Sequence, residues 1–464
     1  MPFVMMTCAL AALGPIVAFS TSAETVTWRL PPETVTTDFC RVTANGRPLD
    51  VFALPVPPSP IEKDDAYPYY AVFFDADAVS EVAIEYGQDA DLSNARILPR
   101  SAGVAADVVA SGRIRFRALP PFSLVVEPSG RHKALVVVAN RPDRDVPDRR
   151  DPKVKWMDPG LHRENISLSS GETLYLAPGA VVEGNLSAVG NGITVRGRGI
   201  FSGIPWKKKA GPGAYCWHLQ GRDICVRDLV FASGWSWSVV VMDSEDVLLD
   251  SIRVLGGHVL EDDAVDVCRS KHIRIRNSFL RSQDDCVAAK WKVSDLLVEN
   301  CTLWTDAANG VRIGWECDAK EGGFENLTFR NIDMLHLSLA KRPASALWAR
   351  CAVQVQASNA TPIRNVSFDT VRFDSVETGD VLLNAATGGC GNNYVGPGTI
   401  DGLHFRRVWA PKDSPKMAVR LAAADEAHPV GNVVFEDVCE FEGPELVRVP
   451  MPKIVRTAAE CKGR

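Results

Sequence analysis

The segments IRIRNSFL (273–280), LLVENCTL (296–303) and LTFRNIDM (327–334) share one pattern, and this pattern decides the predicted fold. Each begins with two apolar residues separated by one position, continues with a polar residue and returns to an apolar residue. Ile273 and Leu296, which begin the first two segments, are 23 residues apart. The same pattern begins at six other positions, at Ile193, Ile224, Val247, Val366, Leu403 and Val433.

A repeat of this length indicates a solenoid. An interval of 23 residues suits one coil of a parallel β-helix, and the longer intervals leave room for loops on one side. Such coils stack about 4.8 Å apart, and each covers the apolar face of its neighbour. Leucine-rich repeats need a Leu-x-x-Leu-x-Leu spacing, which the sequence lacks. We therefore predict an all-β protein in which residues 165–464 form a parallel β-helix.

The region before the repeats has a different pattern. Residues 24–140 contain short alternating apolar runs separated by turn residues, which predicts a small N-terminal β-sandwich. Residues 141–164 are charged and contain prolines, so we interpret them as a surface linker. Within the repeats, residues 336–365 and 384–400 are predicted to be long loops that wall a cleft.

The first 23 residues favour export. Residues 1–23 are apolar and end in small residues, as in a secretory signal peptide that is cleaved near Ala23. No lysine or arginine precedes Arg29, so an uncleaved anchor is the alternative. We expect a secreted or periplasmic protein, without membrane contact after cleavage of the signal peptide.

Composition excludes several classes of function. A net charge of −6 and a pI near 5.8 give no basic surface for nucleic acid or an anionic membrane. The 12 cysteines are scattered without a Cys-x-x-Cys pair, so we predict neither a metal site nor a cofactor. Some disulfides are possible in an exported protein, whereas Cys268, Cys286 and Cys301 lie in apolar runs and are interpreted as small buried residues. We expect a monomer.

Aligning the strands that precede the repeated segments places acidic residues together. When Val239, Val265, Val287 and Val311 form one column, a second column contains Trp237, Asp263, Asp285 and Asn309. Asp263 and Asp285 then lie about one strand spacing apart on adjacent coils, with Asp284 beside them. Strict alternation would turn Asp263 and Asp285 toward the core, so the prediction requires them to lie at a turn.

Three neighbouring carboxylates cannot all remain ionised without cost, so at least one pKa is expected to be raised. Glycosidic hydrolysis needs this combination, because a protonated acid must serve the leaving oxygen while a base activates water. For Asp262 and Asp266 the interpretation is structural, since aspartates at strand ends commonly bind backbone groups. Asp263, Asp284 and Asp285 are the candidate catalytic residues.

Several residues near these aspartates are candidates for substrate binding. Lys290 and Arg312 lie on the outward-facing positions of the same strands, where a cation can bind sugar hydroxyls or a uronate carboxylate. The alternative is an ion pair with Asp266 or Asp284. Tryptophans cluster in the same region and can stack on a pyranose ring, and the candidates are Trp304, Trp315 and Trp237.

The segment EDDAVDVCRSKHIRIRNSFLRSQDDCVAAK (261–290) resembles the polygalacturonase family of inverting glycoside hydrolases, family 28. In that family Asn-Thr-Asp is followed by Gly-Asp-Asp or Gln-Asp-Asp, and NGVRIGWE (309–316) resembles the Gly-His-Gly segment that comes next. The resemblance implies a right-handed, pectin-lyase-like β-helix. It also implies that Asp284 is the general acid, that Asp263 and Asp285 activate water, that Lys290 matches the family lysine and that Asn309 replaces the family histidine.

The sequence also departs from that family. Glu261-Asp262-Asp263 stands where the family has Asn-Thr-Asp, and no clear Arg-Ile-Lys element, which binds galacturonate, follows Arg312. A β-sandwich before a β-helix is also similar to the dextranase and isopullulanase family 49, which acts on uncharged glucans. We predict an inverting hydrolase of a polysaccharide or oligosaccharide. The alternatives are a neutral-glucan hydrolase, a β-helix lyase with Arg312 beside Ca²⁺, and a non-catalytic carbohydrate-binding β-helix.

Overall fold

A computed structural model describes residues 24–36, 39–56, 67–87, 90–110, 112–206, 215–257, 259–318, 320–337, 351–376, 381–388, 396–411, 414–415, 417–436, 446–448 and 454–456. The predicted signal peptide, residues 1–23, lies outside the described residues. The same holds for residues 338–350 and 389–395 within the two predicted cleft loops. In the described part of the chain, no helix is long and apolar enough to cross a membrane.

Two antiparallel-rich sheets form the N-terminal sandwich. The first has the order β1-β5-β11-β10-β7, with β4 paired to β5, and the second has the order β3-β2-β6-β9-β8. Alternating apolar residues from both sheets meet in a shared core that includes Val72, Ile84 and Phe116. The strands are β1 (Thr25–Thr27), β2 (Cys40–Ala44), β3 (Arg47–Leu49), β4 (Phe52–Val56), β5 (Tyr67–Ala76), β6 (Ser80–Tyr86), β7 (Arg96–Leu98), β8 (Asp107–Ala110), β9 (Arg113–Ala118), β10 (Phe122–Glu127) and β11 (Leu135–Asn140), with short 3-10 helices at Pro32–Thr34 and Arg100–Ala102.

The rest of the chain winds into a right-handed parallel β-helix, as predicted. Its strands are β12 (Val154–Met157), β13 (Gly160–His162), β14 (Ile166–Leu168), β15 (Thr173–Leu176), β16 (Ala180–Val182), β17 (Leu186–Val189), β18 (Thr194–Gly197), β19 (Ile200–Ser202), β20 (Trp217–Gln220), β21 (Arg222–Arg227), β22 (Val230–Ala232), β23 (Val239–Met242), β24 (Glu245–Asp250), β25 (Arg253–Leu255), β26 (Val265–Arg276), β27 (Phe279–Ser282), β28 (Val287–Thr305), β29 (Val311–Cys317), β30 (Phe324–Leu337), β31 (Cys351–Gln356), β32 (Pro362–Phe373), β33 (Val381–Ala386), β34 (Thr399–Pro411), β35 (Ala418–Ala422), β36 (Val430–Glu436), β37 (Leu446–Arg448) and β38 (Ile454–Arg456).

Each coil contributes to three faces, because the longer strands bend around a corner and continue on the next face. In the central coils, face A consists of 217–220, 239–242, 265–268, 287–290 and 311–317. Face B consists of 222–227, 245–250, 270–276, 293–299 and 324–330. Face C consists of 230–232, 253–255, 279–282, 301–305 and 332–337.

The predicted alignment of the coils is confirmed. On face A, Val239 pairs with Val265, which pairs with Val287, which pairs with Val311. The repeated segments stack on face B, where the paired first residues are Ile224, Val247, Ile273, Leu296, Leu327, Val366, Leu403 and Val433. The apolar period in the sequence therefore corresponds to one coil of the β-helix.

The interior of the β-helix is a continuous apolar core. Phe329, Phe368 and Phe405 stack in it on successive coils, with ring centroids 4.8 Å apart. Cys268, Cys286 and Cys301 are buried, as predicted. Within the described residues the cysteines are free thiols, namely Cys40, Cys216, Cys225, Cys268, Cys286, Cys301, Cys317 and Cys351.

The start of the β-helix differs from the predicted boundary. Strands β12 and β13 lie within residues 141–164, yet they pair with β15 and β16 as the first coil. The charged residues that suggested a linker are exposed or ion-paired, as Asp143 is with Arg196 at 2.7 Å. An edge coil needs one apolar side only, so its sequence lacks the full repeat.

The sandwich packs directly on face C of the β-helix. A shared apolar cluster joins Leu54 and Val136 of the sandwich to Leu255, Phe279 and Trp304 of the β-helix. Buried ion pairs cross the same interface, between Asp75 and Arg198 at 3.1 Å and between Glu127 and His336 at 2.5 Å. The sandwich therefore covers the face whose strands lead into the turn described next.

Candidate active site

The candidate catalytic residues lie at the corner where the chain passes from face C to face A. Asp263, Asp285 and Asn309 come two residues before the face A strands that start at Val265, Val287 and Val311. Backbone hydrogen bonds between the coils already begin before those strands. The Ala264 N–H donates to Asp285 O at 2.9 Å, and the Cys286 N–H donates to Asn309 O at 3.0 Å. The predicted column is therefore present, and it lies at a turn, where strand alternation does not apply.

Asp285 is a buried carboxylate with partners on both oxygens. Its Oδ1 accepts hydrogen bonds from the backbone N–H of Asn309 at 3.0 Å and from Asn309 Nδ2 at 2.7 Å. Its Oδ2 lies 2.5 Å from Arg312 Nε. Burial raises the pKa of Asp285, and the Arg312 guanidinium opposes this shift only in part. The expectation of at least one raised pKa is confirmed.

Asp263 is held by a buried lysine. Lys290 Nζ lies 2.8 Å from Asp263 Oδ2 and 2.7 Å from Asp266 Oδ1, and the lysine is 2% exposed. Burial alone would lower the pKa of Lys290, but the two carboxylates raise it well above its ordinary value. Burial raises the pKa of Asp266, and Lys290 only partly opposes this. Asp266 is thus an ion-paired residue within strand β26, which corrects its interpretation as a strand-end aspartate that binds backbone groups.

The ion-pair interpretation is confirmed for Lys290, whose partners include the expected Asp266. Arg312 also lies in an ion pair, with Asp285, a partner that the sequence did not indicate. Asp285 was the better-placed partner because Arg312 follows it on the next coil, one position past the column of valines.

Asp284 differs from the other two catalytic candidates because it is partly exposed. Hydrogen bonds hold the peptide groups on both sides of its Cα atom. The carbonyl oxygen accepts hydrogen bonds from Ser282 Oγ and Thr305 Oγ1, both at 2.7 Å. The N–H donates to Asp262 Oδ1 at 3.3 Å. A fixed backbone with a partly exposed carboxyl suits a group that must reach a substrate.

Asp262 has the structural role that the sequence predicted. It is fully buried, and its carboxylate accepts backbone N–H groups from Gly257 at 2.5 Å and Gln283 at 2.6 Å as well as from Asp284. Burial raises the pKa of Asp262 to about 7, although these three donors favour the charged form. Asp262 thus ties two successive coils together at the turn.

Two of the predicted aromatic candidates lie against the cations that pair with the carboxylates, and one does not. Trp237 and Trp315 are partly exposed, and their ring centroids lie 3.2 Å from Lys290 Nζ and 5.4 Å from Arg312 Cζ. Trp304 is fully buried beneath the sandwich, where its Nε1 donates to Asp306. Its assignment as a substrate-binding residue is wrong, because no ring face is open to a sugar. No sequence pattern indicated that the sandwich covers face C at this position.

The structure also changes the role predicted for Asn309. Its side chain is 0% exposed and donates to Asp285, so it supports a carboxylate and does not present an amide to a sugar. Beyond it, the column that contains Arg312 continues on face A with Gln354 and Asn384, joined by a 3.0 Å hydrogen bond. Sequence reasoning missed this pair of neutral amides, because Gln354 follows Arg312 by 42 residues, much more than the 23 residues of one short coil.

The aromatic surface is larger than predicted. Tyr215 stacks on Trp237, with ring centroids 5.7 Å apart. The ring centroid of Trp291 lies 6.2 Å from that of Trp237. Trp291 adjoins Lys290 in the sequence, which was a usable signal. Tyr215 offered none, since it lies before the strands that were aligned.

Away from this corner, Glu245, Asp246 and His272 bring two carboxylates and an imidazole together on face B. Glu245 also lies 2.9 Å from Lys271 Nζ and pairs with Arg222. The cluster is an exposed, charge-compensated network, and it lies on a different face from the candidate site.

Comparison with known proteins supports the resemblance seen in the sequence. No protein-family model matches the chain. A polygalacturonase of Prunus persica is 24% identical over 263 residues, which cover 53% of this chain and 63% of that protein. This chain is polygalacturonase-like. Exopolygalacturonase X-1 of Emericella nidulans is 36% identical over 83 residues, which cover 17% of this chain and 19% of that protein. The chain thus spans less than two thirds of the length of these curated relatives.

Solved structures extend the likeness to the whole fold. Dex49A from Penicillium minioluteum superposes on 89% of this polygalacturonase-like chain and on 97% of its own length, with a TM-score of 0.60. Sequence identity in that superposition is 12%, so the likeness concerns the fold. The predicted combination of a sandwich and a β-helix is present in the described residues.

Proposed function

We propose that this protein is an inverting glycoside hydrolase that cleaves O-glycosidic bonds of a polysaccharide or oligosaccharide. One observation carries the proposal: the partly exposed Asp284 lies beside two buried carboxylates, Asp263 and Asp285, which occupy adjacent coils at one corner. The sequence similarity to polygalacturonases supports the same reaction class. The aromatic rings of Trp237 and Trp315 lie against Lys290 and Arg312, the partners of these carboxylates, and suit a pyranose face.

In the proposed mechanism, Asp284 is the general acid. It gives its proton to the glycosidic oxygen as the bond from that oxygen to the anomeric carbon breaks. Asp263 and Asp285 hold a water on the opposite face of the sugar and accept one of its protons while the water oxygen bonds to the anomeric carbon. The products are a free leaving-group hydroxyl and a reducing end of inverted configuration.

The buried cations assist by fixing the two bases. Lys290 and Arg312 each lie within an ion pair, so Asp263 and Asp285 keep a defined orientation. A lyase would need one of these cations as the base. Asp285 raises the pKa of Arg312 despite burial, which makes it a poor proton acceptor. Hydrolysis therefore fits the site better than β-elimination.

Two substrate classes are candidates. Galacturonan is the first, because the similar curated proteins are polygalacturonases. A neutral glucan is the second, and a specific observation favours it. Both cations at the corner are engaged by carboxylates, which leaves neither as an open partner for a uronate. A uronate would enter a region already rich in carboxylates.

We also propose that the protein acts outside the cytoplasm as a monomer. The apolar residues 1–23 support export, and the acidic overall charge gives no basic surface for nucleic acid. The proposed chemistry uses protein carboxylates and water.

A screen of purified protein against pectic, glucan and algal polysaccharides tests the proposal. Reducing ends and ultraviolet absorbance are recorded together, because a lyase product is unsaturated and absorbs whereas a hydrolase product does not. We expect new reducing ends without absorbance in the wild-type protein and their loss in Asp284→Asn. Cleavage of polygalacturonate or of dextran then separates the two substrate classes.

Asp223→Asn is a matched control for this screen. Asp223 is exposed on face B and has a φ of 56°, a conformation that asparagine tolerates as well as aspartate does. Its activity should equal that of the wild type. Absorbing products would assign the protein to the lyases, and binding without turnover that Asp284→Asn leaves unchanged would indicate a non-catalytic carbohydrate-binding protein.

A further inference from the structure

A buried polar contact joins the sandwich to the coil that precedes the candidate site. Tyr69 on β5 is fully buried, and its hydroxyl donates a hydrogen bond of 2.7 Å to Gly256 O. Gly256 directly follows strand β25 of face C. The two residues are 187 positions apart in the chain, so this bond depends on docking of the sandwich.

Arg281 binds the same carbonyl oxygen from the β-helix side. Its Nη1 donates to Gly256 O at 2.9 Å, and its Nη2 lies 2.7 Å from Asp306 Oδ2. The guanidinium also covers the rings of Tyr69 and Trp304, at 3.6 and 4.4 Å from their centroids. A buried ion pair of this kind is no more stabilising than apolar residues of similar volume, so its fixed geometry is the more informative property.

The next contacts lead from Gly256 to the catalytic turn. The N–H of Gly257 donates to Asp262 Oδ2 at 2.5 Å. The other oxygen of Asp262 accepts the N–H groups of Gln283 at 2.6 Å and of Asp284 at 3.3 Å. A Cβ atom on Gly256 would lie 2.8 Å from Asp262 Oδ2, so these groups are in tight contact.

We propose that Tyr69, Arg281 and Asp262 are positioning residues that hold the carboxyl of Asp284 in place, which makes the N-terminal sandwich part of the catalytic apparatus. The inference rests on the proposed role of Asp284 as the general acid. A proton donor must stay within hydrogen-bond reach of the leaving oxygen, and a misplacement of about 1 Å slows catalysis about 100-fold. The carboxylate of Asp262 holds the catalytic turn through the N–H groups of Gln283 and Asp284. Asp262 is itself held by the N–H of Gly257, next to Gly256.

Hydrogen exchange on the full chain tests this coupling without a substrate. Tyr69→Phe removes the hydroxyl and keeps the ring against which Arg281 packs. We expect backbone amides in peptides that cover 256–263 and 282–286 to exchange about 5-fold faster, which corresponds to the loss of one neutral hydrogen bond. Unchanged exchange in both peptides would overturn the proposal.

Tyr86→Phe is the matched control. Tyr86 lies on β6 and packs in the sandwich's own core. It should leave exchange at 256–263 and 282–286 unaltered. Equal acceleration in both variants would show that general loosening of the sandwich, and not the Tyr69 hydroxyl, reaches the turn, and would also overturn the proposal.

Kinetics on the glycan that the wild type cleaves test the catalytic consequence. In Tyr69→Phe we expect kcat to fall about 10-fold at an unchanged KM, because general acid catalysis acts in the transition state only. Tyr86→Phe should retain both constants. Wild-type kcat together with faster exchange, or a raised KM alone, would refute a positioning role. If the wild type cleaves no glycan, the proposed function fails, while exchange still decides whether Tyr69 supports this turn.

Discussion

Two sets of ion pairs connect adjacent coils of this β-helix, and they differ in burial. On face B, Lys271 pairs with Glu245 at 2.9 Å and Arg330 pairs with Glu299 at 2.6 Å, with both cations more than half exposed, at 51% and 55%. At the corner between faces C and A, Lys290 is bound by carboxylates with its side chain 2% exposed. The same repeat and the same strand spacing produce both sets.

This difference in burial indicates that the charged groups around Lys290 have a role other than stability. Exposed pairs of the face B kind contribute about 0–1 kcal/mol, because solvent screens them. Buried pairs lose hydration on folding, and apolar residues would often stabilise the same space as well. A buried carboxylate–cation cluster beside a partly exposed Asp284 is therefore the part of the molecule that chemistry explains best.

The largest expected effect of a single substitution is on turnover at the corner. In Asp263→Asn the side chain keeps its size but cannot accept a proton from water, so kcat should fall about 1000-fold. Glu299→Gln changes a carboxylate of the face B set in the same way and should leave kcat unchanged. Steady-state kinetics on the identified glycan compare the two, and equal activities would remove the distinction between the sets.

The next largest effect is on stability. Lys290→Met leaves the buried Asp263 and Asp266 without their cation, which should lower the free energy of unfolding by about 3–5 kcal/mol. The matched exposed variant, Lys271→Met, should lower it by less than about 1 kcal/mol. Urea unfolding followed by tryptophan fluorescence measures both. Similar midpoints for the two variants would contradict the assigned difference in burial.

Glu127 and His336 form a buried pair outside the candidate site, so this pair shows the effect of burial on stability without an effect on catalysis. Burial favours the neutral form of Glu127, but His336 and Arg96 more than offset this and lower the pKa of Glu127 from 4.5 to about 2. A lowered folded-state pKa means that the stability contribution is complete above about pH 4.5 and is lost as pH falls toward 2. The loss should be about 3 kcal/mol.

Thermal unfolding between pH 5 and pH 2 measures this contribution, and Glu127→Gln should flatten the dependence over that range. Turnover at neutral pH should not depend on this pair in the way it depends on Asp263. If the variant retains the full acid dependence, the pair does not have the strength that its geometry implies.

The smallest expected effect is on the exposed ion pair of Arg330 and Glu299 on face B. Arg330→Met should change the free energy of unfolding by less than about 1 kcal/mol, and the change should shrink further in 1 M salt, because salt screens exposed charges. Repeating the urea titration at two salt concentrations checks this. An effect as large as that of Lys290→Met would show that the face B pairs hold the coils together.

Much of the fold could be predicted because the repeat is periodic. One apolar column, Val239 to Val311, was enough to set the register of four coils, and the same register placed Asp263, Asp285 and Asn309 together. Because the coils stack, residues that are one repeat apart in the sequence lie next to each other in space. For Lys290 the sequence left substrate binding and an ion pair as alternatives. An outward-facing position on a strand does not reveal which groups cover the side chain.

Docking of the sandwich on face C could not be predicted, because no period relates the two domains. Trp304 was therefore placed at the sugar site although it lies under the sandwich, and Tyr69 was not connected with the turn at all. The first coil was also missed, since β12 and β13 lack the full apolar repeat. These errors have one physical origin: contacts between domains depend on surface shape and on a few buried polar groups.

The anomeric form of the first product distinguishes an inverting from a retaining mechanism. Proton NMR during the first minutes of cleavage of an α-linked polygalacturonate or dextran distinguishes the two anomers before they equilibrate. A single displacement by water, with Asp284 as acid and Asp263 and Asp285 as base, predicts that the β anomer appears first. Initial release of the α anomer would rule out this inverting mechanism, because retention requires a covalent glycosyl-enzyme intermediate.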